Sequence, residues 1–135
     1  MIQQLSIFAP NVKGSMVKIT KLVSDAGIDI YNVVTNDSAE YGIVRMLVTE
    51  PELASELLIS NGYMCNINKV IGVKIPDEVG SLTNLLLTIE MCNINIDYLY
   101  VSYSRDSKTP LAVIHAQGYA ELEESLISKG YEIVR

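Results

Sequence analysis

Apolar and polar residues alternate along IQQLSIFAP, residues 2–10, with Ile2, Leu5, Ile7 and Ala9 available to one buried face and Pro10 as a stop, which predicts a strand. From Ser15 the period changes: Met16, Ile19, Leu22, Val23 and Ala26 recur at helical spacing, and Gly27 follows as a C-terminal cap. The runs 28–35 and 41–49 predict two strands of a hairpin around the polar cluster NDSAE. Pro51 then opens a helix striped by Leu53, Ala54, Leu57 and Leu58 and capped by Gly62, and a last strand is expected over 63–69. The order returns after residue 70: strand 71–75, a helix carrying Leu82, Leu85, Leu86 and Ile89, strands 94–103 and 111–117 around SRDSKT, a helix ELEESLIS capped by Gly130, and strand 131–135.

The recurrence extends to the residues themselves. At an offset of 66, residues 10–30 fall on residues 76–96, with Pro10 on Pro76, Gly14 on Gly80, Ser15 on Ser81, Ile28 on Ile94 and Ile30 on Ile96. At an offset of 68, ELASELLISNGY (52–63) falls on AELEESLISKGY (120–131) with six identities in twelve. The chain is a tandem duplication, with repeats over 1–69 and 70–135. The pentapeptide MCNIN also occurs twice, at 64–68 and 91–95, but opens a strand in one place and bridges a helix end into a strand in the other, so that likeness is accidental. Each repeat reads βαββαβ, and right-handed crossovers give an α+β fold of two tandem ferredoxin-like sandwiches with antiparallel sheets.

Duplication changes what the length means: 135 residues become two units near the lower limit for an independent core, supplied by an apolar fraction of 49%. No apolar run reaches the roughly 18 residues of a membrane span, and MIQQLSIFAP lacks the features of a signal peptide, so a cytoplasmic location is expected. A net charge of −6 without a basic cluster sets aside nucleic acid and anionic membranes as partners. Two cysteines without CxxC spacing and one histidine leave too few soft ligands for a metal site, and no cofactor motif is present. Cys65 and Cys92 read as small buried hydrophobes at positions matching Ile133 and Ala26. His115, among apolar strand residues and matching Leu47, reads as a packed or edge histidine rather than a general base. With Asp77 and Glu78 adjacent in one loop and matched by Asn11 and Val12, no catalytic constellation emerges, and a non-enzyme is expected.

The informative stretch is the loop after each first strand, PNVKGS (10–15) and PDEVGS (76–81). Pro ends the strand, Asn11 or Asp77 follows, and Gly lets the backbone pass close to a ligand or another chain at a helix start, where amides face an anion. A plain tight turn with Ser15 and Ser81 as helix caps accounts for the same residues. The turn Asn/Asp-x-x-Gly at 11–14 and 77–80, followed after a helix by Gly27-Ile-Asp-Ile30 and Asn93-Ile-Asn-Ile96, resembles tandem ACT domains, the ligand-sensing modules of amino-acid metabolism.

That resemblance implies an amino acid held at the junction of the two repeats, touching Asn11, Val12, Gly14, Asp29 and Ile30 in one and Asp77, Val79, Gly80, Ser81, Asn95 and Ile96 in the other. Asp77 would pair with the ligand ammonium, the amides around Val79, Gly80 and Ser81 with its carboxylate, and the Asn95 amide would give and accept. Asp29 in place of Asn95 would repel a carboxylate, which questions two equivalent sites and admits hybrids of Asp77 with Asp29, or Asn11 with Asn95. The expected function is a non-catalytic amino-acid-binding regulator signalling to a metabolic enzyme in trans, as a homodimer. The alternatives are an assembly or regulatory subunit of a biosynthetic enzyme without a ligand of its own, and, more remotely, a small βαββαβ enzyme using His115 or Asp77.

Overall fold

The computed structural model describes residues 1–10, 12–36 and 41–134. Eleven elements follow one another: β1 (Ile2–Pro10), α1 (Ser15–Asp25), β2 (Ile30–Asn36), β3 (Tyr41–Val48), α2 (Pro51–Ser60), β4 (Met64–Lys74), α3 (Ser81–Met91), β5 (Ile96–Tyr103), β6 (Pro110–Ala116), α4 (Tyr119–Ser128) and β7 (Glu132–Val134). The chain divides into a first compact unit, Gln3–Asn68, and a second comprising Lys69–Arg135 with Met1–Ile2. The NDSAE turn expected over 36–40 falls, apart from the strand residue Asn36, outside the described residues.

In the first unit β1 lies between β3 and β4, with β2 beyond β3. The β1–β3 register sets Leu5 opposite Met46, Ile7 opposite Val44 and Ala9 opposite Gly42. In the second, β4 lies between β6 and β7, with β5 beyond β6, and Ile71 stands opposite Ile114 and Val73 opposite both Ala112 and Ile133. Each unit is thus the ferredoxin-like βαββαβ arrangement of antiparallel strands in the order 4-1-3-2, with repeat residues in matching registers. The two strands expected at 63–69 and 71–75 are one continuous strand, β4. No glycine or proline interrupts 64–71, and Val70 between the two runs is fully buried, so the strand runs on where a break was expected.

The periodicities place the cores. Alternate residues Leu5, Ile7 and Ala9 of β1 and Val44, Met46 and Val48 of β3 meet Ile19 and Val23 of α1 and Ala54 and Leu58 of α2. Ile71, Val73 and Ile75, Ala112, Ile114 and Ala116, Leu85 and Ile89, and Leu122 and Leu126 form the second core. Each fully buried Leu or Ile contributes about 1.5–3 kcal/mol, and truncating Leu58 to alanine is expected to cost about 2–5 kcal/mol. Leu47, Leu111 and Val113, on alternate strand positions outside both clusters, are buried as well, which explains why β6 reads as a continuous apolar run.

Helix ends follow local chemistry. Gly27, Gly62 and Gly130 take the left-handed conformation just past α1, α2 and α4, with φ of 76°, 89° and 90°. After α3 the position matching Gly27 is Asn93, which adopts φ 56°, asparagine being the non-glycine residue that tolerates this region best.

Candidate functional site

The loops between β1 and α1 and between β4 and α3 have the same backbone. Gly14 sits at φ 89°, ψ −4° and Gly80 at φ 89°, ψ −5°, each as the residue before its helix, with no capping side-chain hydrogen bond. The N–H of Ser15 donates to the Val12 carbonyl at 3.2 Å, and that of Ser81 to the Glu78 carbonyl at 3.3 Å. The glycine carbonyls accept the first helical bonds, from Lys18 at 3.1 Å and Asn84 at 2.9 Å. Ser15 and Ser81 are therefore the first helical residues and not the caps. Both are largely buried, and the Ser81 amide, expected to face a ligand carboxylate, is engaged in the turn. The amides that lead into each helix without an intrahelical acceptor are Met16 and Val17 in α1 and Leu82 and Thr83 in α3, at the positive end of an 11-residue helix.

A Cβ on Gly14 or Gly80 would meet nothing within 4 Å. The glycines are there for the positive φ, and the space in front of each turn is open. Val12 and Val79 stand out into solvent, and Asp77 is exposed on the same turn as Gly80. Asn11 lies outside the described residues.

The remaining candidates lie elsewhere in each unit. Asp29 and Ile30 follow α1, and Asn95 and Ile96 follow α3, so each pair sits at the far end of an 11-residue helix from its turn, roughly 16 Å away along the axis. The Asp29 backbone is pinned to Thr49, its N–H donating to Oγ1 and its carbonyl accepting the Thr49 N–H, both at 3.1 Å. Ile30 and Ile96 pack on the two cores, while the Asn95 side chain is exposed. A single unit therefore does not bring the turn and the start of its second strand together.

What the first unit does bring to its turn is the far end of its own β2–β3 ribbon. Val12, Gly14, Ser15, Met16 and Val17 line a cavity of about 210 Å3 together with Ala9, Pro10, Thr35, Gly42, Ile43 and Val44. Thr35, Gly42 and Ile43 went unnoticed in the sequence. Gly42, inside an apolar strand run, is the signal for a close approach that would have found them.

A second polar constellation lies on β5 and β6. His115 Nδ1 is 2.9 Å from Asp97 Oδ2, and the imidazole stacks on the Tyr98 ring with centroids 4.9 Å apart and planes 4° from parallel. The residue expected to be a packed or edge histidine is half-buried with a carboxylate partner, which the β-bulge between Ile96 and Tyr98 aligns with it. Among the described residues no cluster of three or more His, Cys, Asp or Glu is placed to hold a metal ion, and no helix is long and apolar enough to cross a membrane.

A family model described as an ACT domain pair matches residues 1–133. The chain belongs to the ACT domain pair family. Among solved structures, this ACT pair is similar to protein BT0572 from Bacteroides thetaiotaomicron, with 26% identity, TM-score 0.90, and 98% of this chain and 91% of that one covered. It shares its fold with the regulatory subunit of aspartate kinase from Thermus thermophilus, at 15% identity and TM-score 0.69, covering 96% and 93% of the two chains. A structure of aspartokinase alpha and beta subunits matches at 19% identity and TM-score 0.65, covering 93% and 86%. No curated protein matches the ACT pair.

Proposed function

We propose that this ACT pair is a non-catalytic regulatory protein that binds a free amino acid at its β1–α1 type of turn and passes occupancy to a separate enzyme of amino-acid metabolism. The observation that carries the reading is the pair of turns with the same left-handed glycine, each opening a helix whose leading amides no side chain caps. Such amides suit a carboxylate, while Asp77 on the second turn suits an ammonium. Because Asn95 stands a helix length from Asp77, a ligand that used both would take its second contact from another ACT module, in the manner expected of the hybrid pairs. The shared fold with two aspartate kinase structures, one a regulatory subunit, supports an enzyme partner of that class.

The test is thermal unfolding of the full chain against a panel of the twenty amino acids at millimolar concentration, followed by calorimetric titration. A ligand bound only to the folded state stabilises it by about 2.7 kcal/mol at a hundredfold excess over Kd. A selective hit lost in Asp77→Ala or Asn95→Ala supports the reading, and a flat panel from a well-folded protein sinks it.

One observation favours the second reading, an assembly subunit. Where α1 presents Thr20 and the exposed ion pair of Lys21 with Asp25 at 2.9 Å, the matched positions of α3 are Leu86, Leu87 and Met91, all exposed along with Leu82. An apolar helix face in one repeat and a solvated one in the other fits docking on a partner enzyme or on a second copy of the chain in a homodimer.

A further inference from the structure

The apolar face of α3 carries a pattern that points to its occupant. Buried Ser81, Leu85 and Ile89 recur at every fourth position and fix the inner side of the helix, so the outer side falls on Thr83, Leu86, Leu87 and Glu90, flanked by Leu82 and Met91. Leu82, Leu86, Leu87 and Met91 are 36%, 39%, 52% and 76% exposed in the full chain. Four large apolar side chains on one outer face form a patch of the kind that marks an interaction surface.

The outer residues read alike from either end. About the point midway between Leu86 and Leu87, Leu86 is matched with Leu87, Thr83 with Glu90 and Leu82 with Met91, apolar with apolar and polar with polar. A regular helix has a twofold axis normal to its length at such a midpoint, and here that axis points outward, within about 30° of the side opposite the core. Two copies of α3 laid antiparallel about it place every outer residue on its match. An isologous contact asks for this arrangement, residue i on j and j on i, whereas the surface of an unlike partner asks for no such symmetry in α3.

Charge fits the same arrangement. Glu90 is the one charged residue of α3, and the first turn of the helix has no acidic residue. In the antiparallel pair Glu90 of one copy stands against Thr83 of the other, whose hydroxyl can donate to a carboxylate. The two Glu90 carboxylates are then kept roughly 10 Å apart along the axis, whereas a parallel pair would set them side by side. The first repeat lacks this symmetry. Its matched positions on α1 would set Met16 on Asp25 and Thr20 on Lys21, and Lys21 and Asp25 are already engaged with each other at 2.9 Å.

We infer that two copies of the chain pair through α3, antiparallel and centred between Leu86 and Leu87, while the matched face of α1 stays in solvent. The inference rests on the docking reading of α3 given above and is independent of amino-acid binding. One 11-residue helix offers less than the about 800 Å2 per partner of a standard interface, so the dimer is expected to dissociate on dilution.

Sedimentation of the full chain over a wide dilution series tests the pairing, with thermal unfolding as the check that each variant folds. Leu87→Lys, at the centre of the contact and exposed in the single chain, is expected to weaken the dimer about tenfold or more. Thr83→Glu sets a carboxylate against Glu90 of the second copy and is expected to weaken it too. Adding Glu90→Lys to Thr83→Glu sets opposite charges together at both ends and is expected to restore it. A chain that is monomeric at every concentration overturns the self-pairing and leaves docking on a partner enzyme standing. A dimer indifferent to Leu87→Lys and Thr83→Glu overturns the assignment to α3, and one weakened by Thr83→Glu but not restored by Glu90→Lys overturns the antiparallel register.

Discussion

Replacing Gly80 by alanine tests the geometry of the turn on which the site is built. At φ 89° an L side chain crowds its own backbone, which costs about 1–2 kcal/mol. No second penalty applies, because the added Cβ would meet nothing within 4 Å. Alanine also narrows the unfolded ensemble, which offsets about 0.4–1 kcal/mol. The net expectation is a loss of about 1 kcal/mol, or a fall in midpoint of roughly 3–6 °C for a chain of this size. Gly14, with the same φ and the same open surroundings, is expected to give the same loss, and Gly80→Asn a smaller one, as Asn93 already adopts φ 56° in this chain. Thermal and urea unfolding of the three variants decide the matter. A Gly80→Ala protein more stable than the parent would refute the left-handed turn, and a loss well above 2 kcal/mol at Gly80 alone would show that its surroundings are filled.

Exchanging Leu87→Lys together with Met91→Asp transplants the α1 ion pair onto α3; stability is expected to change by less than about 0.5 kcal/mol, while sedimentation should show any self-association reduced. Asp97→Ala is expected to cost under about 1 kcal/mol in urea unfolding, because the His115–Asp97 pair is partly exposed to solvent. Burial pushes the Cys65 thiol above its ordinary value of 9.0, with a hydrogen bond from Ser55 opposing. The folded chain then holds that proton more tightly than the unfolded one, so stability should fall as pH rises past 9.0, and Cys65→Ala should flatten the slope.

Much of the fold is written in local patterns. The period-2 run of β1, the helical spacing of Ile19 and Val23 or of Leu85 and Ile89, and Pro51 at a helix start are visible without a structure, because each depends on a few neighbours and on which face is apolar. The 66- and 68-residue offsets make the two copies corroborate one another, and the turn glycines were legible because positive φ selects that residue. Register across β1 and β3, by contrast, is a long-range choice. Only pairing shows that Ala9 faces Gly42, or that the same place in the second unit holds Ile75 and Pro110. The bulge that delivers Asp97 to His115 is likewise a property of two strands together.

The sequence by itself determined the duplication, the βαββαβ order, the buried faces and the two glycine turns, since each follows from hydrophobic periodicity or from a backbone angle one residue type permits. Tertiary structure alone decided that 63–69 and 71–75 form one strand, that the serines after the glycines are engaged helix residues, and that a cavity stands behind the first turn. Those outcomes depend on how much side-chain volume meets across paired strands, and residues more than thirty positions apart, such as Ala9 and Gly42, set that volume only once the chain has folded.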